Sequence, residues 1–143
     1  MTSRLSEFLP SQVTAMRIVD HERQGSEEWR PGVTTRMHVS SVTESVQLCV
    51  FQQWCAPGKG APTHLHAVEE VLTVLDGEAE MWIEDERTTL HAGQSMLVPA
   101  GRKHGFRNIG QRTLHVQATL AAPIFEASFD DSHEVSRRWV PGK

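Results

Sequence analysis

The stretch that decides the fold runs from Gly58 to Gly77 and reads GKGAPTHLHAVEEVLTVLDG. It places His64 and His66 two residues apart and Glu70 four residues further on. Residues i and i+2 of a strand point to the same face about 7 Å apart, so both imidazoles can reach one ion with metal–nitrogen distances of about 2.1 Å. The spacing therefore indicates a metal site on extended chain.

A helix is the alternative structure for this stretch. Its apolar positions also fit an i, i+3, i+4, i+7 repeat: Val68, Val71, Leu72 and Leu75. A helix, however, would place His64 and His66 about 200° apart around its axis, on opposite faces. The Asp76-Gly77 step is in addition typical of a tight hairpin, which would join VLTVL to AEMWI. We therefore predict strands.

Glu70 cannot reach the two histidines along a straight strand, because it would lie about 13 Å further on. The chain must turn after His66, so residues 67–69 are predicted to form a connection or a bulge that brings Glu70 alongside the imidazoles. A later stretch, GQSMLVPAGRKHGFRN, contains His104, which must come from another strand of the same face. Three imidazoles and one carboxylate suit a first-row divalent ion and leave two adjacent positions of an octahedral metal for water or substrate.

The rest of the chain predicts an all-β domain. Short runs rich in Val, Thr, Leu and Phe alternate with Gly, Pro and Asp turns, which is typical of a sandwich or barrel. We assign an N-terminal arm and loop to 1–32, a β-barrel to 33–122 and a C-terminal tail to 123–143. Within the arm we expect a short strand at Met16–Val19, and within the tail a short helix around Ser132–Trp139.

Composition limits the partners. The 143 residues include 14 basic and 18 acidic side chains, a formal charge of −4, which argues against binding to a nucleic-acid backbone. No apolar run approaches the roughly 18 residues that would span a bilayer, and the N-terminal segment MTSRLSEFLPSQ has no apolar signal-peptide core. We expect a cytoplasmic protein without a nucleic-acid or membrane partner.

The two cysteines are predicted to remain reduced. Cys49 and Cys55 lie six residues apart in one extended segment, which separates their Cα atoms by about 20 Å. This is too far for a disulfide, so two buried thiols are expected. Cys55, beside an Ala-Pro-Gly turn, is a minor candidate for an additional metal ligand.

Other notable side chains receive structural interpretations. We expect solvent-facing histidines at His21, His38, His91 and His133. We expect core aromatic residues at Phe51, Trp54, Trp82 and Phe106, and Phe106 also has the strand parity of His104 that would make it a pocket wall. A solvated basic face is expected from Arg36, Lys59, Arg102 and Arg107, although an arginine at the barrel mouth would be needed to bind a carboxylated substrate.

The two patterned stretches together resemble the motifs of the cupin superfamily. The first motif, G-x5-H-x-H-x3-E-x6-G, is matched by Gly58, His64, His66, Glu70 and Gly77. The second, G-x5-P-x-G-x2-H-x3-N, is matched by Gly93, Pro99, Gly101, His104 and Asn108. All ten positions have the correct spacing, and the resemblance covers Gly58 to Asn108. The short segment between the motifs is similar to that of small single-domain metal-binding cupins.

The resemblance implies a double-stranded β-helix, or jelly-roll, barrel that works as a homodimer. It also implies one divalent transition metal ion (Fe, Mn, Ni, Cu or Zn) held by His64, His66, Glu70 and His104. Such a 3-His-1-Glu site would act on a small molecule by dioxygenase, isomerase or lyase chemistry, with Glu70 as the candidate catalytic base. The alternative is a non-catalytic metallocupin that binds or senses a small metabolite. We prefer the enzyme and leave metal and substrate open.

Overall fold

Twelve strands in two sheets make up the fold in the computed structural model, which describes residues 15–133 and 135–142. The first sheet contains, in spatial order, β1 (Glu27–Arg30), β2 (Val33–Val39), β3 (Cys49–Cys55), β10 (Leu114–Leu120), β5 (Glu70–Asp76) and β8 (Ser95–Val98). The second contains β12 (Val135–Arg138), β11 (Phe125–Phe129), β4 (Gly60–Leu65), β9 (His104–Asn108), β6 (Glu78–Ile83) and β7 (Glu86–His91). The predicted all-β jelly-roll fold is confirmed.

The two sheets bury one apolar core through regular alternation along their strands. In β3 and in β10 every second residue is buried and the residues between are half-buried. The core draws on both sheets, with Val74, Leu114 and Val116 from the first sheet and Met81 and Phe106 from the second. Among the described residues, the remaining regular elements are two 3-10 turns at His21–Arg23 and Ser41–Thr43. No helix in the described part of the chain is long and apolar enough to cross a membrane.

The cysteines behave as predicted. Both Cys49 and Cys55 are free thiols whose side chains are buried on the inner face of β3. Burial raises the pKa of each thiol to about 12, so both stay protonated at neutral pH. Neither belongs to the cluster of candidate metal ligands among the described residues, so the structure gives no support for Cys55 as an extra ligand.

The predicted hairpin at Asp76-Gly77 is wrong. Strand β5 pairs with β10 and β8 in the first sheet, whereas β6 pairs with β7 and β9 in the second. The chain therefore crosses between sheets at Gly77, which has φ = 93°. The Asp-Gly signal marks a sharp turn, but it does not determine which strand becomes the partner.

The sheets include segments outside the predicted barrel. Strand β1 lies in the segment assigned to the arm and loop, and β11 and β12 lie in the segment assigned to the tail. The helix expected around Ser132–Trp139 is wrong, because β12 pairs with β11 from Phe125 opposite Arg138 to Ser128 opposite Val135. The strand expected at Met16–Val19 is also absent, and residues 1–14 of the arm lie outside the described residues.

Three side-chain placements differ from expectation. Trp82 is half-buried outside the core, and its indole N–H donates a 3.0 Å hydrogen bond to Oγ1 of Thr63. His38 is 6% exposed rather than solvent-facing, because the turn at His21–Arg23 folds over it and stacks His21 on its ring with centroids 3.5 Å apart. Trp54 is half-buried outside the core, since the inner face of β3 is formed by the odd-numbered residues. Its ring stacks on His115 of the neighbouring strand at 4.6 Å. Parity along the strand, not side-chain size, decides which residues enter the core.

Glycine permits the close approach of β4 and β9. A Cβ at Gly60 would lie 2.1 Å from the carbonyl oxygen of Phe106, and one at Gly105 would lie 2.6 Å from the carbonyl oxygen of Ala61. Both contacts involve backbone atoms, so a side chain could be accommodated only by moving the strands apart. These two strands carry His64 and His104.

We predict that Gly60→Ala lowers the free energy of unfolding by about 1–3 kcal/mol, as overpacking in a fitted interior usually does. Gly25→Ala is the matched control, because a Cβ there meets nothing within 4 Å. It should change stability by less than about 1 kcal/mol, in the stabilising direction. Urea denaturation followed by tryptophan fluorescence measures both. Equal stabilities for the two variants would contradict the close approach.

Candidate metal centre

The four predicted ligands come together between the two sheets. His64 lies in β4, His66 directly follows that strand, Glu70 begins β5 and His104 begins β9. Their ligand atoms all lie within 4.8 Å of one another. All four side chains are buried, with exposed fractions between 0% and 6%. The described part of the fold therefore brings together the four residues that the sequence singled out.

Sheet register and a bend of the chain explain how the four ligands meet. His64 pairs directly with His104 across β4 and β9, which brings their ring centroids to 4.3 Å. The chain then leaves the second sheet after His66 and enters the first sheet at Glu70, as the predicted bend requires. The backbone N–H of Gly101 donates a 2.8 Å hydrogen bond to the carbonyl of His66, which fixes the bend against the loop before β9.

Asn108, the last residue of the second motif, has a structural role. Its side-chain amide donates to the carbonyl oxygens of Cys55 and Arg112 at 2.9 and 2.7 Å, and its Oδ1 accepts from the N–H of Gly110 at 2.8 Å. The residue thus closes the loop after β9 and ties it to the end of β3. It supports the strand that begins with His104 and takes no part in the ligand cluster.

Backbone carbonyls fix the orientation of all three imidazoles. Nδ1 of His64 lies 2.7 Å from the Pro62 carbonyl oxygen, and Nδ1 of His66 lies 2.7 Å from that of Glu126. Nδ1 of His104 lies 2.9 Å from the Arg102 carbonyl oxygen. A carbonyl oxygen only accepts, so each Nδ1 carries the proton. The neutral rings therefore offer the Nε2 lone pair as a ligand, an arrangement that metal-binding histidines commonly show.

The cluster fits a divalent ion. Nε2 of His66 is buried and has no hydrogen-bond partner, which is rare for a polar atom in a protein interior. Nε2 of His104 lies 2.8 Å from Oε1 of Glu70, although the proton of a neutral His104 ring is already on Nδ1. Two atoms with lone pairs approach so closely only when they share a proton or a metal ion. Three nitrogens and one oxygen are ligands suited to Fe, Mn, Ni, Cu or Zn.

The electrostatics of the cluster favour the ligand forms of two side chains. Burial lowers the pKa of His64 to about 3, and the neighbouring His104 and His66 add to this effect, so its ring is neutral at pH 7. Burial alone would raise the pKa of Glu70, but the close contacts of its carboxylate with the rings of His104 and His66 outweigh it and hold the pKa at about 2. Burial also opposes protonation of His66, but its contact with the Glu70 carboxylate, 3.5 Å from Nε2, raises its pKa overall. A proton on His66 thus competes with a metal ion.

A small cavity of about 20 Å³ opens beside the cluster, with His64 and Glu70 in its wall. Aromatic side chains form much of the remaining lining: Trp29, Phe51, Phe106, Phe125 and Phe129. Phe106 is therefore part of the pocket wall, as its strand parity predicted. Arg30 and Gln53 add polar groups, and Gln53 is oriented by its 2.9 Å hydrogen bond to Thr35. The four predicted surface cations, Arg36, Lys59, Arg102 and Arg107, do not line this cavity.

Sequence reasoning missed several of these lining residues. Trp29 and Arg30 lie on β1, in a segment that the predictions treated as loop. Phe125 and Phe129 lie on β11, in the segment treated as tail. The second pair carried a usable signal, because Phe125, Ala127 and Phe129 alternate with polar residues as in a strand with one inward face. The first pair had no such signal.

Two antiparallel sheets around four convergent ligands define a jelly-roll barrel that could hold a metal ion. The family model for the cupin domain matches residues 54–120. The match covers 67 of the 143 residues, a little under half of the chain, and includes both motifs from Gly58 to Asn108. The sequence-based resemblance is confirmed.

Similar proteins include one uncharacterized protein and two named enzymes. An uncharacterized protein of Aquifex aeolicus (strain VF5) is 27% identical over 129 residues, which cover 90% of this chain and 94% of that protein. Quercetin 2,3-dioxygenase of Bacillus subtilis (strain 168) is 36% identical over 68 residues, 47% of this chain but 20% of the dioxygenase. The polyketide cyclase RemF from Streptomyces resistomycificus shares the fold with a TM-score of 0.65 at 18% identity, covering 90% of this chain and 89% of the cyclase.

We predict that protein purified anaerobically without chelators contains about one divalent ion per chain and that His66→Ala loses most of it, because the variant removes a buried ligand. Elemental analysis by mass spectrometry measures this. His91→Ala is the control, since His91 is an exposed histidine outside the cluster. The site assignment fails if His66→Ala and His91→Ala retain equal metal.

Proposed function

We propose that the chain is a metal-dependent enzyme that acts on a small molecule at one divalent transition metal ion held by His64, His66, Glu70 and His104. The observation that carries the proposal is that the buried ligand cluster borders an aromatic cavity. His64 and Glu70 belong to the cluster and also line the cavity. Structural metal sites are closed by protein ligands, whereas catalytic sites keep a face open to substrate.

A metal ion bound here would supply a Lewis acid or, if it is Fe(II), an oxygen-activating centre. The side chains of the cavity supply the rest. The walls formed by Phe51, Phe106 and Phe125 exclude water and suit a flat or apolar substrate. The reaction belongs to the dioxygenase, isomerase or lyase classes, on an enol, a hydroxy-ketone or a carboxylate.

Glu70 has two roles in the proposal. With its pKa held at about 2, it is fully ionised at neutral pH and is first of all a ligand. A carboxylate with so low a pKa is a weak base while both imidazoles contact its Oε1. It becomes a useful proton acceptor only when it moves away from His66 and His104, since burial then raises its pKa.

The named relatives support a reaction on a small organic molecule. One is named as a dioxygenase of quercetin, and another as a polyketide cyclase. The dioxygenase is similar over 68 residues of this chain, and the match spans only 20% of the dioxygenase's own length. The comparison therefore leaves the substrate open.

The test is turnover by protein loaded separately with Fe(II), Mn(II), Ni(II), Cu(II) or Zn(II). A panel of enols, hydroxy-ketones and small carboxylic acids is incubated with each form, and substrate loss and oxygen uptake are measured. We expect at least one metal form to turn over a panel member. The rate should fall by at least about 100-fold in His66→Ala, because even outer-shell partners of a metal cost about 10- to 100-fold.

His91→Ala should retain the wild-type rate, since its side chain lies outside the cluster. Binding of panel members without turnover by any metal form would contradict the enzyme proposal. It would favour the alternative, a non-catalytic metallocupin that binds or senses a metabolite.

A further inference from the structure

A β-bulge brings Arg30 to the cavity. On β1, Glu28 pairs with Thr34 and Arg30 pairs with Val33, so two steps on β1 correspond to one step on β2. Trp29 is the extra residue. Neighbouring residues of a regular strand point to opposite faces, but the bulge allows both Trp29 and Arg30 to line the cavity beside the ligand cluster.

The Arg30 guanidinium is anchored at one position and otherwise has few protein partners. Its Nη1 donates a 2.9 Å hydrogen bond to the Gly60 carbonyl, and its central carbon lies 5.8 Å from the centre of the Phe129 ring. A guanidinium has five N–H donors in a planar fork. The Gly60 contact therefore holds the group in place while most of its donors remain available to a ligand.

Arg30 differs from most arginines of the described chain in having no carboxylate partner there. Carboxylate ion pairs are formed by Arg17, Arg23, Arg87, Arg102, Arg107, Arg112, Arg137 and Arg138. Within residues 15–133 and 135–142, Arg30 and Arg36 form none. Arg36 lies over Trp54 on the outer face of the first sheet. Arg30 is thus the unpaired cation that faces the cavity.

The surroundings of Arg30 make an anionic ligand favourable. Burial lowers the pKa of Arg30 and the like charge of Arg138 adds to this, while Cys55 and Asp131 oppose it. A half-buried cation without a contacting counter-ion has lost hydration that the protein does not fully replace. A carboxylate with two parallel oxygens matches the free edge of the guanidinium fork.

We propose that Arg30 binds the carboxylate of the substrate. The substrate is then the anion of a small carboxylic acid, and the rest of the molecule is directed to the ligand cluster. This inference rests on the proposed function, because it names the substrate class for the same cavity. The cavity is small. Among the described residues that line it, Arg30 is the one Arg or Lys. This favours a carboxylate over a phosphate, whose additional charge and oxygens need more donors.

The experiment measures binding to metal-loaded protein by ligand-observed NMR and calorimetry. The probes are formate and acetate, their uncharged amides formamide and acetamide, and inorganic phosphate. We expect the wild type to bind each carboxylate at least about 10-fold more tightly than its amide, as a charge-assisted hydrogen bond provides. Arg30→Gln should abolish that preference and leave amide affinity unchanged. Arg30→Lys, which lacks the planar fork, should retain only part of it.

Arg36→Gln is the matched control, since Arg36 is also half-buried and unpaired in the described chain but lies outside the cavity. It should bind every probe as the wild type does. The inference is overturned if Arg30→Gln keeps the carboxylate preference, if the wild type shows none, or if phosphate binds as tightly as the carboxylates.

Metal content separates this inference from the proposed function. If Arg30→Gln is folded and retains about one ion per chain, a changed carboxylate affinity reports on Arg30 alone. A wild type that binds no metal would instead refute the metal-dependent function. A metal-bound wild type whose carboxylate binding does not depend on Arg30 would refute only the present inference.

Discussion

The central constraint on this fold is the burial of Glu70 among three imidazoles. A carboxylate with 3% exposure is tolerated only when cations or hydrogen bonds compensate for its lost hydration. His66 and His104 contact it from the facing sheet, so the site joins the two sheets at their inner faces. The register of β4 with β9 and the bend between His66 and Glu70 are the backbone features that allow this contact.

Much of the site could be predicted because its signals are local. The alternation of a strand puts His64 and His66 on one side, and the impossible reach from His66 to Glu70 along a straight strand requires the observed bend. The identity of strand partners is a different kind of information. Asp76-Gly77 correctly indicated a turn, yet β5 and β6 belong to different sheets. The error over Ser132–Trp139 has a similar origin, because β12 is stabilised by pairing with β11 and carries little periodicity of its own.

The wall of the cavity was the least predictable part of the site. Trp29 and Arg30 both line it only because a bulge interrupts the alternation of β1, and a bulge depends on how two strands pair. Phe125 and Phe129 reach it because the segment after Pro123 returns to the second sheet. The motif residues thus determine the ligand cluster, whereas the segments outside the motifs supply much of the wall of this cavity.

The most direct test of the account is the X-ray absorption spectrum of the metal-loaded protein, recorded at the edge of the bound metal. The account predicts a first shell of nitrogen and oxygen atoms at about 2.0–2.2 Å, with the multiple-scattering pattern of three imidazoles. This pattern should weaken in His66→Ala. A sulfur shell at about 2.3 Å would show that Cys49 or Cys55 binds the metal, and a shell of oxygen atoms without imidazole would show that the ion lies elsewhere. Either result would contradict the assignment of His64, His66, Glu70 and His104.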